Sequence, residues 1–222
     1  MSIKQRGNKS PRGRTNLTEL EKLNGPLPAL DVADIILIRH KKGLMRRLLR
    51  KVTGSYWDHA GLIIFPRDFS KGYSNDILIE AIQNGLNSSL RRGVEIHRLD
   101  KYLDDPKKYD VGIKRISWLN ESLKTRVRSY MLLNVDTPYY PLATTKFLLA
   151  LFFQTYRKNL LRRQRYSCSG LVQKSFYEAT DWKDRADIIF KGPGYTPIEI
   201  QETTSPADIA KSDACEWIWN KH

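Results

Sequence analysis

Apolar residues along the chain come in two arrangements, unbroken blocks and spaced stripes, which predict different elements. Ala33-Asp34-Ile35-Ile36-Leu37-Ile38 is a short β-rich block and predicts a buried strand. A second block is opened by His59 and runs through Ala60-Gly61-Leu62-Ile63-Ile64-Phe65; Pro66 and the polar run to Asn75 close it. Ala60 and Gly61 leave room there for close backbone approach. Ile77-Leu78-Ile79-Glu80-Ala81-Ile82 predicts a third strand, with an acid set among apolar residues. Residues 94–99 alternate and read as a half-exposed strand, with His97 on the polar face as a surface residue. Residues 109–116 read as another strand, with Val111 and Ile113 alternating against Gly112 and Lys114.

The stripes predict helices. Leu119, Leu123, Val127 and Met131 step by four, with Asn120 or Ser117 as the cap. Leu171, Val172, Phe176 and Ala179 recur behind Ser167, whose hydroxyl suits the N-cap of a helix with one buried face. Residues 41–52 place Leu44, Met45, Leu48, Leu49 and Val52 on one face of a basic amphipathic helix, its charges either a solvated face or a membrane-facing one. Residues 142–163 form a further helical stretch, whose apolar part of about 12 residues is too short to cross a bilayer. It reads as a buried helix or as one lying at a lipid interface. Residues 17–24 read as a short helix ended by Gly25-Pro26, residues 135–141 as a turn-rich loop and residues 191–194 as a turn. Trp217 and Trp219 are expected to pack near the end of the chain.

The chain has 222 residues, 41% of them hydrophobic, enough for one domain with a substantial core. Residues 1–24 form a basic arm, disordered or loosely helical, and residues 25–222 the folded domain. The 38 Lys+Arg against 24 Asp+Glu give a net charge of +14, which favours nucleic acid, anionic lipid or acidic partners without choosing among them. None of the standard nucleic-acid modules is visible, so no specific nucleic-acid partner is expected. Two cysteines, Cys168 and Cys215, exclude a disulfide framework; a single bridge is conceivable, but a reduced, cytoplasmic setting is the simpler reading. No signal peptide or membrane-spanning run is read. With two cysteines, four histidines and no metal-binding spacing, neither a metal nor a cofactor is expected.

The chemistry centres on Tyr166-Ser167-Cys168-Ser169-Gly170-Leu171-Val172. A thiol in the first turn of a helix lies at the positive end of its dipole, which favours the nucleophilic thiolate. Taken alone, such a cysteine reads first as a small apolar residue packed at a helix start. Glu80 needs either a partner or an exposed face, because a buried unpaired carboxylate is costly.

The ordered set "ADIILIR", "DHAGLII", "ILIEA" and, much later, "YSCSGLV" resembles the permuted NlpC/P60 branch of the papain-like cysteine hydrolases. Within it the likeness is to the YiiX/YebB-type bacterial proteins and, more distantly, to the lecithin:retinol acyltransferase-like enzymes. It covers about residues 30–212, and "TSPADIAKS" is similar to the family's closing segment. His59 precedes Cys168, the permuted order. Two positions depart from the family pattern: Ala33 stands where a glycine is usual, and Gly170 where an acid often follows Cys-Ser.

The resemblance implies an α+β, circularly permuted papain-like fold, with an antiparallel sheet or small barrel packed against the Cys helix. It implies Cys168 as nucleophile, His59 as general base and Glu80 as the group orienting the imidazole. Tyr166 matches an aromatic position at the oxyanion site, and Ser167 and Ser169 flank the nucleophile there. The expected activity is cysteine-dependent acyl hydrolysis of amidase or peptidase type through a thioester, on a small peptide, amide or lipid acyl substrate. Two alternatives stand beside it. One is a lipid-directed thiol hydrolase or acyltransferase held peripherally at an anionic membrane by the basic stretches. The other is a non-catalytic basic binding module.

Overall fold

The unbroken apolar blocks become the middle of a single antiparallel sheet. A computed structural model of the chain describes residues 25–82, 93–138, 167–181, 188–190 and 204–221. Six strands, β1 (Ile35–His40), β2 (His59–Phe65), β3 (Ile77–Ala81), β4 (Val94–Arg98), β5 (Tyr109–Arg115) and β6 (Glu216–Lys221), lie in the order β4-β3-β2-β1-β5-β6. Every neighbouring pair is antiparallel, and β4 and β6 are the outer strands of this sheet. Five α-helices accompany it among the described residues: α1 (Leu44–Thr53), α2 (Asp100–Leu103), α3 (Glu121–Leu133), α4 (Cys168–Ala179) and α5 (Pro206–Lys211).

The central strands read as continuous apolar runs because both faces of the sheet are covered. Ile35, Leu37, Leu62 and Ile79 share one core with Leu123, Val127, Met131, Leu171, Val172 and Phe176 of α3 and α4. Ile36, Ile38, Ile63 and Leu78 point the other way, into a second cluster with Leu30, Leu99, Tyr102 and Trp219. The four-residue steps predicted for α3 and the helical spacing predicted for α4 mark positions that become buried. Asn120 proves to be the cap of α3, its side chain accepting from the Leu123 N–H at 2.9 Å. At α5, Ser205 and Asp208 form a reciprocal capping box.

Some expectations change. The first strand begins at Ile35, not at Ala33, because Ala33 sits in the left-handed region at φ 71° and cannot continue a ladder. That is a backbone a glycine would adopt without strain. Lys114, expected on a polar face, is buried. Its Nζ donates to the carbonyls of Ile209, Ala210 and Ser212 at 3.0, 3.1 and 2.8 Å, and so caps α5 from β5. The segments 1–24, 142–163 and 191–194 lie outside the described residues. No helix among the described residues is long and apolar enough to cross a membrane.

Candidate active site

Helix α4 begins as its sequence predicts. The Ser167 hydroxyl accepts the Gly170 N–H at 3.0 Å, which places Cys168 in the first turn, buried. First-turn N–H groups have no partner within the helix, so this end carries partial positive charge. The α4 axis packs on β2 and β3, the strands that carry His59 and Glu80.

His59 is the first residue of β2, and Glu80 lies near the end of β3. In the register Glu80 pairs with Gly61, so it is the diagonal neighbour of His59 on one face of the sheet. The imidazole Nε2 and Glu80 Oε2 are 2.6 Å apart, both groups buried. Gly61 makes this approach possible: a Cβ there would stand 2.9 Å from the Ile79 carbonyl and 3.2 Å from the Glu80 Cβ. With Nε2 turned to Glu80, Nδ1 is the nitrogen left for the thiol, and His59 and Cys168 each favour the other's charged form.

Glu80 is completely buried, not at a solvated edge, and it has the partners such a carboxylate requires. The Tyr102 hydroxyl donates to Oε2 at 2.7 Å and lies 2.9 Å from Oε1, and Lys101 Nζ donates to Oε1 at 3.1 Å. Both come from the four-residue α2, too short to leave a periodic signal in the sequence. His97, expected on the surface, is only partly exposed. It lies 3.0 Å from Glu95 and 3.9 Å from Glu80 Oε1, at the margin of this cluster.

Charges in the site reinforce one another. Burial pushes the Cys168 thiol up, but the His59 charge and hydrogen bond, with the Ala60 and Ser169 N–H groups, outweigh it and hold it below the ordinary thiol value. Burial acts against the charged imidazole too, yet Cys168 and Glu80 raise His59 to about 10. Burial would also raise Glu80, but His59, Lys101 and Tyr102 lower it to about 2. Burial and the adjacent Glu80 raise the Tyr102 hydroxyl, which keeps it a donor. The shifts run the same way, each toward the charged form: thiolate, imidazolium and carboxylate in a row.

The other sequence-derived positions divide. The Ser167 hydroxyl is occupied by the helix cap, and the Ser169 hydroxyl donates to the Thr204 carbonyl at 2.7 Å, tying α4 to the segment before α5. Their contribution at the sulfur is main-chain, through the Ser169 N–H. Tyr166 lies outside the described residues. Cys168 and Cys215 are both free thiols, with no bridge between them. Among the described residues no group of three or more His, Cys, Asp or Glu side chains could hold a metal ion. Glu80, the obvious carboxylate donor, is already engaged by His59, Tyr102 and Lys101, so this cluster does not fit a metal centre.

A second histidine–carboxylate pair adjoins the first. His40 Nδ1 lies 2.6 Å from Asp58 Oδ1, and the His40 and His59 ring centroids are 6.1 Å apart. Asp58, buried, also pairs with Arg46 and Arg50 of α1 and accepts the His40 N–H at 3.1 Å. Burial raises the Asp58 carboxyl, but His40 and Arg46 lower it further than burial lifts it. Burial lowers His40 below its ordinary value, and the Arg46 and His59 charges add to that fall against the opposing pull of Asp58.

No family model and no curated protein matches the chain. Five solved chains do match it in structure. One is the crystal structure of the metalloprotein yiiX from Escherichia coli O157:H7, 12% identical, with a TM-score of 0.55 over 86% of this chain and 97% of that one. At that identity the likeness concerns the fold alone: the chain is an α+β protein with a YiiX-like fold.

Proposed function

We propose that the protein is a cysteine-dependent acyl hydrolase of the amidase or peptidase type, built on a circularly permuted papain-like arrangement. The single observation that supports this most is the buried chain Cys168–His59–Glu80, with the thiol in the first turn of α4 and the imidazole held at 2.6 Å by a fully buried carboxylate. A structural cysteine does not need a histidine whose second nitrogen is fixed by an acid; an activated nucleophile does.

The steps follow from these roles. The Cys168 thiolate attacks the acyl carbon, forming a C–S bond and a tetrahedral oxyanion. Backbone N–H groups at the start of α4 stabilise that oxyanion, aided by the helix dipole. His59 gives its proton to the leaving nitrogen or oxygen as that bond breaks, leaving a thioester on Cys168. Water then loses a proton to His59 and attacks the thioester; the C–S bond breaks, releasing the acid and restoring the thiolate–imidazolium pair. Glu80 keeps the imidazole in one orientation and stabilises its charged form throughout. Tyr102 and Lys101 hold Glu80 in turn.

The test is acylation of the protein by a panel of activated esters and aminoacyl amides, read by intact mass. Wild-type protein is expected to gain the acyl mass on Cys168 and lose it by hydrolysis, with no such adduct in Cys168→Ala. Equal labelling of both proteins, or of neither, across the panel would count against the proposal.

A further inference from the structure

Helix α1 turns two of its arginines toward the domain and two of its leucines to solvent. Residues 41–52 hold Lys41, Lys42, Arg46, Arg47, Arg50 and Lys51 and no acid. A basic helix on a soluble domain ordinarily seats its leucines and leaves its charges wet. Here Arg46 and Arg50, one turn apart, both reach inward to Asp58, and Arg50 also donates to the His40 carbonyl at 2.9 Å. At 3.6 residues per turn, Leu48 lies about half a turn from either arginine and so points directly away from the domain. Leu44 is 85% exposed and Leu48 45% exposed. The two anchors fix the roll of the helix, so it cannot rotate to bury these leucines without taking Arg46 and Arg50 from a buried carboxylate. Lys42, Arg47 and Lys51 are exposed around them, and no carboxylate among the described residues pairs with any of the three.

We propose that the outer face of α1 is a docking surface for an anionic lipid bilayer. Leu44 and Leu48 would enter the headgroup–acyl boundary, and Lys42, Arg47 and Lys51 would meet lipid phosphates. Apolar residues at the centre with cations at the flanks match the interfacial arrangement of membrane-surface helices. A nucleic acid would have no use for the central leucines, and an acidic protein would need a recess shaped to them, whereas a bilayer accepts them without one. The surface is tethered close to the candidate nucleophile: its anchor Asp58 directly precedes His59 in the chain. Docking does not depend on the hydrolase reading. That reading adds only the consequence that acyl groups of lipids would be presented near Cys168.

The experiment is co-sedimentation of the full chain with vesicles of phosphatidylcholine, with and without phosphatidylglycerol, across a salt series. Wild-type protein is expected to bind only the anionic vesicles. The Leu44→Asp/Leu48→Asp variant is expected to bind them about tenfold more weakly or worse, the loss persisting at moderate salt where the basic arm of residues 1–16 contributes little. Arg47→Glu/Lys51→Glu should lose binding most at low salt. All substituted positions are exposed, and an unchanged Cys168 alkylation rate checks that each variant is folded. Absence of vesicle binding by the wild type, binding indifferent to lipid charge, or equal binding by the leucine variant each overturns the proposal. Cys168→Ala should bind as wild type does, so an unreactive Cys168 with intact docking defeats the hydrolase reading alone.

Discussion

Two histidine–carboxylate pairs stand side by side at one end of the sheet, His59–Glu80 and His40–Asp58, each with a 2.6 Å contact between ring nitrogen and carboxylate oxygen. Their chemistry is driven in opposite directions by what lies on the far side of each member. His59 has an acidic group on both flanks, Cys168 and Glu80, and is raised to about 10. His40 is lowered by burial first; its one acid, Asp58, is shared with Arg46 and Arg50, and the Arg46 and His59 charges oppose its charged form further. A His–Asp contact is therefore not evidence of a catalytic base. The second partner decides: a thiol turns the pair into an activating device, and arginines turn it into a tether for α1.

Removing the first pair should have the largest effect. His59→Ala leaves Cys168 buried with no counter-charge, so its thiol returns to at least the ordinary range. At pH 6 the alkylation rate of Cys168, followed by peptide mass, should fall about 100-fold or more, because a thiol of pKa about 8.5 is less than about one per cent ionised there.

Glu80→Gln removes one member of a buried ion pair and should cost about 3 kcal/mol in denaturant unfolding. Its pH signature is specific. Glu80 is depressed to about 2 from an ordinary 4.5, so its contribution is complete above the ordinary value and is lost as pH falls through about 2. The variant should lose that part of the acid dependence. His59 has the opposite sign: raised from 6.5 to about 10, it contributes fully below its ordinary value and loses that contribution as pH rises through about 10. Stability from the pair should therefore be greatest between these limits.

Asp58→Asn tests whether the two pairs are separable. It leaves Arg46 and Arg50 without their carboxylate and should destabilise by about 2 kcal/mol, while Cys168 alkylation at neutral pH stays within about threefold of wild type. A collapse of alkylation to the His59→Ala level would mean that the two pairs form a single network. Gly61→Ala should cost about 1–3 kcal/mol by overpacking against Ile79 and Glu80, with a smaller loss of thiol reactivity as Glu80 shifts. The smallest effect belongs to Ala33→Gly, expected to change stability by less than about 1 kcal/mol: relief of the left-handed backbone is offset by a lost buried methyl and added chain entropy.

Much of this arrangement is legible in the residues alone. Apolar blocks announce β1, β2 and β3; four-residue steps announce α3, helical spacing announces α4, and Ser167 announces its start. Glu80 stands out as a costly acid in an apolar strand, whereas Cys168 alone reads as a packed residue and is linked to His59 and Glu80 only by the resemblance of the ordered segments. What escapes is whatever depends on distant segments meeting. Tyr102 and Lys101 support Glu80 from a helix of four residues, which carries no periodic pattern. Lys114 looks solvent-facing until the α5 carbonyls close over it. His97 alternates like a surface residue, yet the neighbouring strand brings it to the edge of the site. The orientation of α1 is hidden for the same reason. Its stripe says that the helix is amphipathic, but only the buried Asp58 decides which face turns inward.

The most direct test is the pH dependence of Cys168 alkylation, resolved by peptide mass, with His59→Ala measured in parallel. Cys215 serves as comparator within the same molecule, since burial raises its thiol above the ordinary range. An activated Cys168 keeps a high rate well below pH 8.5, the ordinary thiol value of about 8.5, far exceeds Cys215, and loses both properties in the variant. A Cys168 that titrates like an ordinary thiol, or reacts no faster than Cys215 and equally in both proteins, would contradict the thiolate–imidazolium pair on which the proposed function stands.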